Sequence, residues 1–261
     1  VNSSSNDFIT YTRKAVDMRI TGRSRYIETK EAILDLMVRS DYPGNKLPSE
    51  DILSKTLGIS VATVREALRQ LNREGYITKK HGSGNYIHHS ALDLVMRIDI
   101  NKTFFALLQE RYPDVYSEQS DFRVGICTQE EADMLKLPEP EECLFYDRYY
   151  YVNGRELAIL ATNAIPAKFF TGDVKELQES DSKISLMDFI WEHCMDEMVQ
   201  TSVHMDPVNA TKEVAGLMNI EKGRAIVHWK EIFYNVYDLP IALSQASFNP
   251  VLVDMTLLIK W

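Results

Sequence analysis

Three cysteines in 261 residues (Cys127, Cys143 and Cys194) are too few, and too odd in number, to build a disulfide framework. Long apolar runs are missing too, since none approaches the roughly 20 residues that cross a bilayer. The opening residues, Val1 to Asn6, are polar and serine-rich, unlike a secretory signal. These absences point to a cytoplasmic chain in a reducing compartment, with no membrane partner. Chemical motifs are just as sparse. There is no phosphate-cradling Gly-x-x-x-x-Gly-Lys loop, no Gly-x-Ser-x-Gly elbow and no His-Glu-x-x-His helix. His193-Cys194 with His204 comes nearest to a metal cluster, but its spacing fits no common zinc pattern. No catalytic residue, metal or other cofactor is expected, and the many carboxylates form no pair with distinguishable acid and base settings.

What is present divides unevenly. A chain of this length exceeds the usual single domain, so two domains are expected. The formal net charge of −9 argues, as an average, against a polyanionic partner. The average hides an asymmetry: residues 23–89 carry 11 Lys and Arg against 8 Asp and Glu, whereas residues 90–261 carry 15 against 28. Any contact with nucleic acid therefore belongs to the first third.

That third reads as three helices and a hairpin. Tyr26 to Arg39 places Ile33, Leu36 and Met37 on one face, and Pro43-Gly44 follows. Ser49 is a helix cap, with Glu50 and Asp51 at the positive end of the dipole and Gly58 as a left-handed stop. Ser60 caps a third helix, Val61 to Glu74, whose apolar face is Val64, Ala67, Leu68 and Leu71 and whose other face carries Arg65, Arg69 and Arg73. Two short strands, Tyr76 to Lys80 and Asn85 to His88, flank His81-Gly82-Ser83-Gly84. Three helices and a glycine-tipped hairpin in this order make a winged helix-turn-helix.

The residue types suit double-stranded DNA. Ser60, Val61, Ala62 and Thr63 are small enough for the helix end to enter a major groove, and Arg65 can pair with guanine or a phosphate. Arg69, Arg73, Lys79 and Lys80 suit phosphate contacts, and the tip His81-Gly82-Ser83-Gly84 offers exposed backbone N–H groups. The bland alternative is a solvated face in which the arginines pair with Glu66 and Glu74.

The block LPSEDILSKTLGISVATVREALRQLNREGYITKKHGSGNYI, Leu47 to Ile87, strongly resembles the GntR superfamily of bacterial regulators. The Leu-Pro-Ser-Glu opening, the Thr-Val-Arg-Glu-Ala-Leu helix and the Gly-x-Gly wing carry the likeness. By resemblance, Arg65, His81 and Gly82 take DNA-contact roles. Two positions depart from the family, Asp51 and Val61, where relatives usually have DNA-contacting arginines, so an atypical operator is implied. Residues from roughly Asp93 to Trp261 resemble the HutC-type subfamily, whose effector-binding UTRA domain has a chorismate-lyase-like fold.

This second part contains a weak internal repeat, residues 128–166 against 211–250. Thr128 matches Thr211, Ala132 matches Ala215 and Tyr151 matches Tyr234; one extra residue then brings Ala158 onto Ala242 and Pro166 onto Pro250. Each copy reads as a short helix and a hairpin, which suggests one α+β domain with a shared antiparallel sheet. The expected organisation is a tail at 1–22, a winged helix-turn-helix at 23–88, a linker at 89–100 and an effector-binding and dimerisation domain at 101–261. The fold class is α+β.

Polar residues in the repeat are the pocket candidates. Asn101, Lys102 and Thr103 precede the helix Phe104 to Glu110, where Asn101 or Thr103 can cap and, by the resemblance, help hold a ligand anion. By resemblance, Arg148 matches the first of two ligand-facing arginines, with Tyr150 at the second. Ala161 and Asn163 stand where many relatives have Glu and Ser, and Gln245, with Ser247 on the same strand face, replaces another Glu. Arg148 has a bland alternative in a salt bridge to Asp147 or Glu231. One charge anchor kept among altered neighbours implies a small-molecule effector such as a sugar phosphate or another anionic metabolite. The function these observations favour is a homodimeric DNA-binding transcriptional regulator, a repressor, with dimerisation taken from the resemblance alone. A chorismate-lyase-like enzyme with a DNA-targeting module and a constitutive DNA-binding protein are the alternatives.

Overall fold

The computed structural model describes residues 25–171, 174, 185–194 and 198–261; the tail assigned to residues 1–22 lies outside them. The chain divides into two compact units, 1–92 and 93–261.

In the first unit α1 (Arg25–Arg39) buries Ile33 and Met37. Helix α2 (Glu50–Leu57) starts where the Ser49 side chain accepts the Ile52 N–H at 3.4 Å. It stops at Gly58, whose φ of 67° lies in the left-handed region that a side chain would strain. Two residues later Ser60 accepts the Thr63 N–H at 3.1 Å and starts α3 (Val61–Arg73). Val64, Ala67, Leu68 and Leu71 are its buried face, the four residues that the 3.6-residue period selects. Strands β1 (Ile77–Lys80) and β2 (Gly84–Ile87) pair antiparallel, and the turn closes with the Ser83 N–H donating to the Lys80 carbonyl at 3.0 Å.

The stretch expected as a linker, 89–100, is not open chain. His89–Leu92 forms a short helix, α4, in the first unit, with Ala91 buried. Met96, Arg97 and Ile100 are buried in the second, where Met96 and Ile98 exchange backbone hydrogen bonds with Thr256. Buried main chain has to satisfy its polar groups, and pairing with the C-terminal segment does so.

The second unit is built on an antiparallel sheet with seven strands among the described residues. Its strands are β3 (Tyr116–Gln119), β4 (Arg123–Ile126), β5 (Glu142–Val152), β6 (Glu156–Pro166), β7 (Met198–Asn209), β8 (Ala225–Asn235) and β9 (Pro240–Phe248). The order is β3-β5-β6-β9-β8-β7, and β4 pairs with the other end of β5. One face packs against α5 (Phe104–Gln109) and α7 (Leu186–His193). The other packs against α6 (Gln129–Met134) and α8 (Lys212–Met218).

The internal repeat is visible in three dimensions, and its spacing corrects the sequence alignment. Thr128 and Thr211 cap equivalent helices, and Lys136 and Asn219 end them at matching φ values of 51° and 52°. Arg148 faces Ala161 as Glu231 faces Ser244, and Tyr150 faces Ile159 as Phe233 faces Ala242. The register shifts also coincide, at Tyr150/Tyr151 and at Phe233/Tyr234. The offset of 83 residues therefore holds through both hairpins. No extra residue intervenes: Ile159, not Ala158, is equivalent to Ala242, and Pro166 falls on Asn249. Matching small residues and prolines by type had cost one position. In a strand that reverses the face.

Candidate DNA-reading face and small-molecule pocket

On α3, Ser60, Ala62, Arg65 and Arg69 are exposed, while Val61 and Thr63 are half-buried. On the hairpin, Lys79, Lys80, His81 and Gly82 are exposed and Ser83 is half-buried. Part of this set is already engaged. The hydroxyls of Ser60 and Thr63 lie 2.8 Å apart at the cap, the Ser83 and Tyr86 hydroxyls lie 2.5 Å apart, and Arg69 pairs with Glu66.

Arg65 and Lys79, from different elements, meet on a carboxylate that sequence reading took only for dipole chemistry. Arg65 Nε and Nη2 each lie 2.9 Å from Glu50 Oε2, and Lys79 Nζ lies 3.3 Å from Oε1. Burial alone would raise the Glu50 carboxyl, but the hydrogen bonds from Arg65 and Lys79 outweigh it and hold it below its usual range. Glu50 thus aligns two cations on one surface. Both stay open to exchange, with about half of each side chain exposed.

In the second unit a cavity of about 490 Å³, counting its open mouth, lies on the sheet face that α5 and α7 cover. Six of the eight expected effector residues line it: Asn101, Lys102, Thr103, Arg148, Tyr150 and Asn163. Gln245 and Ser247 do not. They share a face, as alternation requires, but it is the opposite one, where Gln245 Oε1 and Ser247 Oγ lie 3.3 and 3.5 Å from the ring nitrogens of His228. Ser244 takes the pocket position on β9. Glu231 and Phe233 of β8, together with Ser185, Leu186 and Met187 at the start of α7, also line the cavity and were not singled out as ligand contacts. The constant offset of the repeat is the signal that finds Ser244, Glu231 and Phe233, as partners of Ala161, Arg148 and Tyr150.

The approach to α5 is largely satisfied by the protein itself. Thr103 accepts the Ala106 N–H at 3.2 Å, and Lys102 is ion-paired with Glu110. Arg148 is different. It is 4% exposed, and among the described residues its polar contact is a long one, Nη2 to Ser117 Oγ at 3.4 Å. Its Nε and Nη1 have no hydrogen-bond partner among the described residues, and its guanidinium carbon lies 5.9 Å from the centre of the Tyr150 ring. Asp147 pairs instead with Arg123 at 3.0 Å, and among the described residues no ion pair joins Arg148 to Asp147 or Glu231. Leaving buried charged donors unsatisfied costs about 1–3 kcal/mol or more, so folding alone disfavours this arrangement.

Glu231 faces the cavity from the other hairpin. Burial raises its carboxyl above the usual range; hydrogen bonds from Trp229, at 3.2 Å, and from Thr201 offset only part of that. Phe104 sits edge-on to Tyr150, Trp229 and Phe248, with ring centres 5.3–6.0 Å apart, and so locks the pocket wall. The nearest approach to a metal cluster does not assemble. His193 packs on Phe189, and His204 pairs with Asp206 at 3.0 Å.

The family described as Bacterial regulatory proteins, gntR family, matches residues 26–87, and the UTRA domain matches residues 114–250, just over half of the chain. The chain is 25% identical to MngR of Escherichia coli, the mannosyl-D-glycerate transport/metabolism system repressor, over 86% of this chain and 91% of that protein. It is 26% identical to the HTH-type transcriptional repressor NagR of Bacillus subtilis, over 74% and 76% of the two chains. The fold is shared with YydK of Bacillus subtilis at a TM-score of 0.65 and 19% identity, over 91% of this chain and all of that one. Helices and hairpin that present cations to solvent, and a sheet domain that holds a cavity, thus coincide with the two matched regions. The chain belongs to the gntR family of bacterial regulatory proteins: it is a DNA-binding transcriptional regulator rather than an enzyme, and its second unit is a UTRA domain.

Proposed function

We propose that this regulator is a homodimeric repressor released from its operator by a small anionic effector, and that it works in the bacterial cytoplasm on the nucleoid. The supporting observation is the contrast between exposed Arg65 on α3 and buried, under-partnered Arg148 in the UTRA unit. Arg65 reads a base edge, with Val61 and Ala62 against a thymine methyl. Arg69, Lys79, Lys80 and the backbone at His81, Gly82 and Ser83 hold phosphates and set the register. Ser60 and Thr63 stiffen the helix end that enters the groove.

Arg148 holds the effector's anion, while Tyr150, Asn163 and the segment Asn101 to Thr103 shape the cavity around it. Repression is the sign carried by the names of MngR and NagR, and the glycerate named for MngR is the kind of carboxylate that a buried arginine suits. Effector binding shifts a population of dimers away from the arrangement that fits two half-sites. The domain limits proposed are 23–92 for DNA binding and 93–261 for effector binding and dimerisation.

The test has two parts. Duplexes selected from a random library with the full chain define the operator, and anisotropy then follows release by a panel of carboxylates and phosphates. Arg148→Met is expected to bind the selected duplex as the parent does and to ignore every ligand that releases the parent. Equal response of the two proteins would overturn the effector assignment, and a monomer in sedimentation would overturn the dimer.

A further inference from the structure

The pocket is built on the internal repeat, and the repeat puts unlike groups at equivalent places. Arg148 and Glu231 are equivalent, as are their cross-strand neighbours Ala161 and Ser244, and so are Tyr150 and Phe233; all six line the cavity. The relating axis passes between Thr162 and Gln245, equivalent residues that face each other in the β6–β9 ladder. A faithful duplication would present the same charge twice. Here one end is a guanidinium and the other a carboxylate.

The two do not neutralise each other. Three strand spacings, roughly 14 Å of sheet, separate their backbones. Arg148 keeps Nε and Nη1 without partners among the described residues. Glu231 accepts from Trp229 and Thr201, and a carboxylate with about four lone-pair sites keeps capacity for a further donor.

We propose that the effector is a short molecule with unlike ends, bound in one orientation, with an anion on Arg148 and a hydroxyl or ammonium hydrogen-bond donor on Glu231. This rests on the assignment of the cavity as the effector site and adds a requirement to it. A molecule with anions at both ends would set one against Glu231 where water is scarce, and like charges are then strongly penalised. Glu231 is thereby the residue that selects the effector class and its direction.

Four probes on the same five-carbon chain test this on the full chain by calorimetry and ligand-observed NMR: pentanoate, 5-hydroxypentanoate, 5-aminopentanoate and glutarate. Both donor-bearing probes are expected to bind at least about 10-fold more tightly than glutarate, with pentanoate between them. Glu231→Gln is expected to bring glutarate within about threefold of the donors, and Glu231→Asp, which keeps the charge, to retain the preference. The donor that loses more on Glu231→Gln identifies ammonium or hydroxyl as the natural group. If glutarate binds the parent as tightly as 5-aminopentanoate, and Arg148→Met abolishes both, the cavity is an anion site and the role given to Glu231 is wrong. If no probe binds in an Arg148-dependent way, the effector assignment falls, and this proposal with it.

Discussion

On the first unit, Arg65 and Lys79 share the carboxylate of Glu50, and Arg69 pairs with Glu66. In the second, Arg148 is nearly fully buried with two nitrogens unpartnered among the described residues, and Glu231 faces the same cavity without pairing with it. The difference follows from solvent. An exposed ion pair is worth little, about 0–1 kcal/mol, so exchanging Glu50 for a DNA phosphate costs little and the cations can be kept aligned meanwhile. A pair closed inside the pocket would have to be broken, in low dielectric, before a ligand could enter. Keeping Arg148 and Glu231 apart sacrifices stability and leaves both ends ready for a guest.

The comparison can be broken most decisively at Arg148. Arg148→Met should abolish effector response, leave operator affinity unchanged, and raise stability by about 1–3 kcal/mol, because a desolvated donor set is replaced by apolar volume. A titration of anisotropy against effector and a denaturant melt check the two halves; a destabilised variant would show that Arg148 is satisfied after all.

Arg65→Ala is the mirror case. It should cost about 1–3 kcal/mol of operator binding. Stability should move by less than about 0.5 kcal/mol, since the Glu50 pair is half-exposed. Sequence discrimination on the selected duplexes distinguishes a base reader from a phosphate holder.

Glu231→Gln sharpens the pocket side through pH. Burial raises the folded carboxyl above its unfolded value, so the stability this group contributes is present at acid pH and lost as pH rises through the raised value. Permanently neutral glutamine escapes that loss. The variant should therefore melt above the parent at about pH 8, and the gap should close towards about pH 4.5. Melts across this range check it, and a gap that widens in acid would reverse the assignment.

The smallest effect is expected at Glu50. Glu50→Gln frees Arg65 and Lys79, so affinity for non-operator duplex should rise and specificity should fall, with a steeper dependence on salt. Affinity measured at two salt concentrations on a random duplex tests it.

The first unit was the more legible because its signals are local. Ser49, Gly58 and Ser60 each act within one turn of helix, and Val64, Ala67, Leu68 and Leu71 mark a buried face by period alone. Glu50 is legible as a helix-start carboxylate but not as an ion-pair hub, because its partners lie 15 and 29 residues away. In the second unit Arg148 and Asn163 were found as pocket residues, whereas Gln245 and Ser247 were placed one residue out of phase. On the sequence alone Glu231 is no more than a salt-bridge partner for Arg148, since strand alternation gives the face a residue occupies and not how far its neighbour's side chain reaches.

By itself the sequence determined where helices begin and end, which face of α3 is buried, and that a helix-hairpin unit occurs twice. Those features depend on contacts a few residues apart. Which residues of β6 meet those of β9, and which of β9 meet those of β8, was decided only by the tertiary structure, through ladders such as Ala161 with Ala246 and Glu231 with Ser244. A strand has a period of two, so a single misplaced residue exchanges one face for the other, and only the paired sheet says which face looks into the pocket.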